Sequence, residues 1–332
     1  MDLNTKAVKK NAYRITKTRG KTALRIRVPG GHLDVRYFDI IKEIADKYGD
    51  GSVHITTRQG FEVPNIDFKY MDEINEMIKP ILEGLELNIG VDIKDPLKGY
   101  PAAGTRNVSA CIGNKVCQYA NVNTTDLAKK IEKEIFPNDY HVKIAITGCP
   151  NDCIKAHMQD FGIIATTEPQ YDESRCISCE ACVKVCKKKV TGALKFENYS
   201  VIRDEEKCIG CGECVLKCPT GAMTRSEEKY YRLVIMGRTG KRNPRLAMPF
   251  IKWVDEDSIV KIIKNTYDYV GRYIDRSLPK EHIGYIVDRT GFNVFKEEVL
   301  EGVELGPKAQ VADYIDFGGY MYNRETYFKG YK

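Results

Sequence analysis

The chain has 332 residues, of which 42% are hydrophobic and 30% charged; this globular composition excludes a disordered protein and suggests two or three domains. No apolar run approaches the roughly 18–20 residues needed to span a bilayer, and the Met-Asp-Leu-Asn-Thr-Lys start lacks the apolar core of an export signal, so a cytoplasmic setting is expected. The formal net charge is +6, from 52 basic and 46 acidic side chains, with no basic stripe of the kind nucleic-acid binding needs.

Residues 1–20 are basic and polar and read as an arm. Leu24, Ile26 and Val28 alternate as a strand that Pro29-Gly30-Gly31 ends. Phe38, Ile41, Ile44, Ala45 and Tyr48 recur at helical spacing. A strand through Val53 to Val63 comes next, and Met71, Ile74, Met77, Ile78, Ile81 and Leu82 mark a second helix. That β-α-β-α order predicts a small split sheet with helices on one face, over residues 1–95. Lys94 to Gly99 reads as a linker.

Residues 96–167 begin a second domain. A helix is predicted from Asn123 to Phe136, capped by Asn123 or Thr124, with Asp126 in its first turn. A strand from His141 to Thr147 should follow, with Val142, Ile144 and Ile146 to one side. An insert occupies 168–228, and residues 229–300 resume the same domain with a strand from Tyr230 to Met236. Asp257 or Ser258 should cap a helix running to about Asp275, with Ile259, Ile262, Ile263, Tyr267 and Val270 on one side. A further helix should follow Phe292. Residues 301–332 form a C-terminal arm containing Tyr314, Tyr320, Tyr322, Tyr327 and Tyr331, read equally as an interface arm or a packed surface tail. The expected class is α+β.

All 12 cysteines lie between Cys111 and Cys218, in three sets of four. A disulfide framework is a poor reading for a long chain without an export signal. Cys176, Cys179, Cys182 and Cys186 have the spacing C-x2-C-x2-C-x3-C, and Cys208, Cys211, Cys214 and Cys218 repeat it 32 residues later. Tight loops of this kind present three thiolates to one cubane, and the fourth cysteine, expected to start a short helix, reaches the other. Cys176, Cys179, Cys182 and Cys218 should therefore hold one [4Fe–4S] cluster, and Cys208, Cys211, Cys214 and Cys186 a second. Zinc, the competing reading, would normally take two C-x2-C pairs separated by a longer loop. The stretch resembles bacterial two-cluster ferredoxins, although Cys186 is followed by Lys187 where Cys218 is followed by Pro219.

The first set differs. Cys111 and Cys117 form C-x5-C, and Cys149 and Cys153 lie within Gly148-Cys149-Pro150-Asn151-Asp152-Cys153. A helix and a strand between the pairs would return the chain, so the pairs can meet at one end of a sheet and hold a third cubane. This pattern resembles the siroheme sulfite and nitrite reductases. Val53 to Gly60, Thr105 to Val108, Lys143 and Gly237 to Arg242 stand where that family carries its substrate-side and cofactor-side motifs. A single siroheme repeat with a ferredoxin insert resembles the dissimilatory type.

The resemblance implies a ferredoxin-like half domain, a siroheme/[4Fe–4S] domain interrupted by a two-cluster insert, and three [4Fe–4S] clusters with siroheme. It makes Cys153 the thiolate bridging cube and siroheme iron, with Cys111, Cys117 and Cys149 holding the cube alone. It places Arg58 and Arg106 as clamps on a small oxyanion and Lys143 as proton donor. His141 stands where the family has a second lysine and reads as a second proton donor or as a contact of a siroheme carboxylate. Asn107 and Asn151 would bond cofactor carboxylates or the cluster loop, and Arg238, Lys241 and Arg242 would meet siroheme carboxylates. The implied reaction is six-electron reduction of sulfite to sulfide; nitrite reduction and a non-catalytic electron-transfer subunit are the alternatives. No flavin or nicotinamide motif occurs, so the implied partners are a flavin/NAD(P)H-binding subunit and a further iron–sulfur subunit. With one repeat per chain, a homodimer or partner could complete the pocket in trans. Three clusters contribute about −6 and roughly offset the basic excess. Lys187-Lys188-Lys189 is read as a solvated charge run rather than a docking site.

Overall fold

A computed structural model of the chain describes residues 12–86, 89–90, 106–138, 140–239, 244–278 and 281–315. The first unit is an antiparallel sheet in the order β1-β2-β4-β3. Its strands are β1 (Tyr13–Ile15), β2 (Lys21–Ile26), β3 (His54–Ile55) and β4 (Phe61–Asp67). Helices α1 (Tyr37–Tyr48) and α2 (Met71–Leu85) cover it. Ile41, Ile44, Ala45 and Tyr48 of α1 and Ile74, Ile78, Ile81 and Leu82 of α2 pack onto Leu24, Ile26, Val63 and Ile66. The apolar spacing of each helix thus buries one stripe against a sheet that is apolar on the facing side.

Two local expectations change here. Part of the stretch read as an arm is β1, whose Tyr13 is buried and pairs opposite Leu24. The single strand expected over Val53–Val63 is a hairpin. Thr56 turns the chain, its N–H donating to Gly60 O at 2.8 Å and its Oγ1 accepting from Gly60 N at 3.0 Å. Gln59 adopts φ 64° in that turn, so the polar stretch Thr56 to Gly60 is a hydroxyl-stabilised turn between two short strands.

The second unit is a six-stranded sheet in the order β14-β13-β12-β7-β6-β5. It is built from β5 (Ser109–Ala110), β6 (Ile144–Thr147), β7 (Phe161–Thr166), β12 (Tyr230–Ile235), β13 (Met248–Val254) and β14 (Gln310–Val311). Strands β5, β6 and β7 run parallel, and β12 returns antiparallel beside β7. Helix α3 (Thr124–Ile135) makes the crossover between β5 and β6. It is capped by Asn123, whose side chain accepts from Thr125 N. The strand expected from His141 is regular only from Ile144, and all four of its residues are buried.

Between β7 and β12 the chain leaves the sheet over residues 168–228, so the excursion interrupts two neighbouring strands. It contains two two-stranded ribbons, β8 (Pro169–Tyr171) with β11 (Met223–Arg225) and β9 (Leu194–Glu197) with β10 (Ser200–Arg203), and helices α4 (Ala181–Lys189) and α5 (Glu213–Lys217). Helix α6 (Glu256–Tyr273) covers the large sheet. Its cap is Asp255, which accepts from Ser258 N at 2.8 Å, so the helix starts slightly earlier than expected. Helix α7 (Ile283–Thr290) has no counterpart in the sequence reading, and α8 (Phe292–Val299) is the helix expected after Phe292. Tyr320, Tyr322, Tyr327 and Tyr331 lie outside the described residues, and Tyr314 is exposed.

The two units are joined through buried charge. Arg27, at the end of β2, pairs with Glu86 beyond α2 at 3.0 Å and with Glu132 of α3. All three side chains are almost fully buried, and Arg27 also stacks on Phe136 at 4.5 Å. Removing Arg27 would leave two buried carboxyls without their counter-charge, and burial already pushes the Glu86 carboxyl up to about 8. The seam is therefore held by one cation set between two carboxyls. Among the described residues, no helix is long and apolar enough to cross a membrane.

Candidate active site

The β3–β4 turn reaches from the small sheet onto the large one. Arg58 Nη2 donates to Asn107 O at 2.6 Å and to Ile144 O at 3.4 Å, and Nη1 donates to Gln159 Oε1 at 3.1 Å. These acceptors are neutral. Burial and the neighbouring Arg106 push the Arg58 guanidinium down to about 10, against a pull from Asp160. It therefore stays charged at neutral pH. Arg106 Nη2 lies 2.6 Å from His141 Nδ1, and burial lowers its pKa too. Arginine only donates, so His141 Nδ1 accepts, and a neutral His141 carries its proton on Nε2. Arg58, Arg106 and His141 thus meet within one chain.

Asn107 takes a different place from the one expected. Its Nδ2 donates to Val28 O at 2.9 Å and Arg58 O at 2.5 Å. Both amide protons are engaged, so Asn107 braces the Arg58 turn and has none left for a cofactor carboxylate. Lys143 lies in the extended stretch before β6; its N–H donates to Asp160 Oδ2 at 3.0 Å, and its carbonyl accepts from Phe161 N at 3.0 Å. Arg238 is buried, pairs with Asp288 at 2.7 Å and lies over the Tyr285 ring at 4.4 Å. Arg245 takes the other Asp288 oxygen at 2.7 Å. Arg238 is thus matched to a protein carboxylate. Lys241 and Arg242 lie outside the described residues.

The first cysteine set meets where two parallel strands end. Cys111 follows β5 and Cys149 follows β6, and the two strands pair. Cys111 N donates to Ile146 O at 3.0 Å, and Gly148 N donates to Cys111 Sγ at 3.1 Å. A Cβ on Gly148 would stand 2.6 Å from Ala120 Cβ, so only glycine permits this approach. Cys149 is buried; burial pushes its thiol up, the Asn151 N–H opposes this, and the charges of Cys117, Cys153 and Cys111 add to it. The four sulfurs therefore share one neighbourhood. Cys153 is exposed, and so is Asn151. Asp152, at φ 49°, holds the turn by accepting from Ala156 N at 2.6 Å and His157 Nδ1 at 2.7 Å. Ile112 and Val116, on the loop between Cys111 and Cys117, are exposed. An exposed thiol beside large exposed apolar side chains fits the face of a flat macrocycle.

The remaining eight cysteines line two small pockets. Cys176, Cys179, Cys182 and Cys218 face one, and Cys186, Cys208, Cys211 and Cys214 face the other. Each pocket is thus lined by thiols from both sequence repeats. The helical placement differs from the expected one: the third cysteine of each set, Cys182 or Cys214, lies in the first turn of α4 or α5, and the fourth lies in the last turn of α4 (Cys186) or just beyond α5 (Cys218). Burial, Cys211 and Cys208 push the Cys214 thiol up to about 12, a cost that binding as a thiolate to a cationic cluster would offset. Among the described residues, no group of three His, Cys, Asp or Glu side chains is arranged to hold a metal ion directly. Thiols that line a cavity suit a cube better than a single tetrahedral ion.

The second cavity lies toward the first cysteine set. Thr167 N donates to Gly210 O at 2.9 Å, and a Cβ on Gly212 would stand 3.1 Å from Asn121 Oδ1. Asn121 N donates to Gly148 O at 2.7 Å, and Arg225 Nε donates to Asn121 Oδ1 at 2.9 Å. Asn121 therefore ties the insert to the G-C-P turn. Sequence reasoning missed Asn121, Gln59, Gln159, Asp160 and His282. Asp160 and His282 are buried partners 122 positions apart, and no local pattern signals a pair so distant.

Known proteins can be compared on this geometry. Residues 14–81 match the nitrite/sulfite reductase ferredoxin-like half domain, and residues 102–306 match the nitrite and sulphite reductase 4Fe-4S domain. The chain belongs to the nitrite and sulfite reductase family. One of the anaerobic sulfite reductase subunits of Salmonella typhimurium is 41% identical over 311 residues, 93% of this chain and 92% of that protein. The coenzyme F420-dependent sulfite reductase of Methanocaldococcus jannaschii is 31% identical over 85% of this chain and 43% of its own length. Among solved structures, dissimilatory sulfite reductase I superposes with a TM-score of 0.66 at 17% identity, over 93% of this chain and 74% of that one. That likeness establishes the shared fold.

Proposed function

We propose that the chain is the catalytic subunit of a siroheme sulfite reductase that converts sulfite to sulfide. The observation that carries this reading is the convergence of Arg58, Arg106 and His141 within one chain whose first four cysteines meet at the ends of β5 and β6. Siroheme coupled to a [4Fe–4S] cluster would bind the substrate sulfur and deliver six electrons. Cys111, Cys117, Cys149 and Cys153 would hold that pair, with Cys153 as the shared thiolate.

The chain's own residues then act on the oxyanion. Arg58 and Arg106 are half-buried cations with no carboxylate in ion-pair contact among the described residues, so a small anion gains from both. Each of the three oxygens leaves as water, and Lys143 would protonate the departing oxygen. His141 would serve as a neutral hydrogen-bond donor rather than an acid, because Arg106 occupies its Nδ1. Residues 168–228 would form an inserted two-cluster ferredoxin domain, bringing the total to three [4Fe–4S] clusters. Residues 1–95, 96–167 with 229–300, and 301–332 would be the half domain, the split siroheme domain and a terminal arm. Partner subunits with flavin, an NAD(P)H site and further iron–sulfur centres would feed the insert, and the setting would be cytoplasmic.

Anaerobic purification, iron and siroheme assay, and turnover with reduced viologen on sulfite and on nitrite test the reading. Sulfide production with siroheme bands and about thirteen irons per chain is expected. Faster turnover of nitrite would make it a nitrite reductase, and iron near eight without siroheme bands would make it an electron-transfer subunit.

A further inference from the structure

His282 lies immediately before α7 and is fully buried. Its Nδ1 stands 3.0 and 3.2 Å from the two carboxylate oxygens of Asp160, itself 1% exposed. Nδ1 therefore carries a proton and donates it to the carboxylate. Asp160 also accepts the Lys143 N–H, and its carbonyl accepts from Met236 N at 2.8 Å, so the residue is fixed from the ends of two strands of the large sheet, β6 and β12. The other His282 nitrogen, Nε2, is buried without a partner among the described residues. The His282 ring meets the His141 ring edge-on, with centroids 4.1 Å apart and planes at 78°. His141 in turn accepts from Arg106.

A buried imidazole with an orphan nitrogen is costly where an apolar ring would pack. The position brings a compensating property. The ring of His282 cannot turn, because its Nδ1 is held by an anion that is itself held by the sheet. It is therefore a rigid wall for His141. Asp160 also supplies negative charge near two guanidiniums, opposing the effect of burial on both Arg58 and Arg106.

We propose that His282, locked by Asp160, is a positioning residue for the oxyanion site: it sets the His141 ring, and His141 sets Arg106. The inference rests on Arg106 and His141 facing the substrate. It assigns to His282 an effect on anion binding that passes through His141.

The test uses the cluster-loaded holoenzyme and its variants. Sulfite binding is followed by optical titration, and KM and kcat are measured with reduced viologen. His282→Phe should raise sulfite Kd and KM about tenfold with iron and siroheme content unchanged, the scale of a lost charge-assisted contact. His282→Asn keeps an N–H for Asp160 and should stay within about threefold of the parent. In a His141→Ala background, His282→Phe should add nothing, because residues acting through one another are not additive. An unchanged Kd in His282→Phe, or fold-losses that simply multiply in the double variant, would overturn the proposal. If His282→Phe does not load its clusters, His282→Leu takes its place: the same rise in Kd is expected, and no rise overturns the proposal. Arg106→Ala separates the two levels. If its Kd is also unchanged, the site itself has been misassigned; if its Kd rises while that of His282→Phe does not, only the role of His282 falls.

Discussion

The side-chain amide of Gln59 and the main chain of Ala110 exchange two hydrogen bonds, Nε2 to O at 2.6 Å and N to Oε1 at 2.8 Å. A primary amide has the donor and acceptor of a peptide group. Gln59 therefore pairs with the edge strand β5 as a further strand would, and satisfies groups an edge leaves open. This contact sits one residue from Arg58 and immediately before Cys111. It ties the Arg58 turn to the strand that leads into Cys111.

Replacing Gln59 with Leu should remove both bonds and leave two buried peptide groups without partners. A stability loss of about 2–4 kcal/mol is expected, with a raised sulfite KM because the Arg58 turn loosens. Thermal unfolding and steady-state kinetics on the same preparation would show both. A stable variant with parental KM would refute the coupling.

Arg58→Lys and Arg106→Lys retain charge but lose the planar fork. Each should lower kcat/KM for sulfite by about 100-fold, the scale seen when one charge-stabilising donor is removed. Iron content and the optical spectrum should not change. A small effect on kcat/KM would remove that arginine from the site.

The two insert cavities give a pairing experiment. Cys179→Ser and Cys218→Ser should damage one cluster, and Cys211→Ser and Cys186→Ser the other, because each pair faces a single cavity. Reduced-state electron paramagnetic resonance of the four variants should fall into two classes along those lines. Classes that instead follow sequence neighbours, Cys179 with Cys186, would contradict the crossed arrangement.

Glu62 accepts from Arg25 Nε at 2.9 Å and Nη2 at 2.5 Å, and from Arg14 at 3.4 Å. Burial raises its pKa, but the arginines outweigh that and hold the carboxyl below its ordinary value. A depressed carboxylate stabilises the fold above its unfolded pKa of about 4.3 and loses that contribution as pH falls through the folded value. Acid unfolding of the holoprotein should therefore begin below about pH 4. Glu62→Gln should flatten the stability profile in that window and lower stability by a constant amount above about pH 5.

Much of the fold was legible because local chemistry was strong. The stripes of α1, α2, α3 and α6 bury the side chains their spacing selects. The β3–β4 hairpin was read as one strand, because the polar stretch Thr56 to Gly60 does not by itself show that the Thr56 hydroxyl folds it into a turn. Helix α7 and its buried His282 were missed for another reason. His282 is buried by a partner 122 residues away, and its neighbourhood in sequence carries no sign of it. Asn107 was read as a ligand of cofactor carboxylates or of the cluster loop, and Arg238 as a siroheme-carboxylate contact, from their motif positions. The Asn107 amide meets Val28 and Arg58, and Arg238 pairs with Asp288, contacts that only a folded chain brings within reach.

Cysteine spacing alone determined how twelve thiols divide, because C-x2-C-x2-C-x3-C lets a short loop present three sulfurs to one cube and forces the fourth elsewhere. It also determined the family, through motifs whose order survives without coordinates. The tertiary structure decided which cations share a site. Arg58 comes from a turn of the small sheet, Arg106 and His141 from stretches that precede β5 and β6, and Asp160 and His282 from behind them. Electrostatic and hydrogen-bond energies depend on distance through space, which becomes short only when parallel strands and the β3–β4 turn have closed on one another.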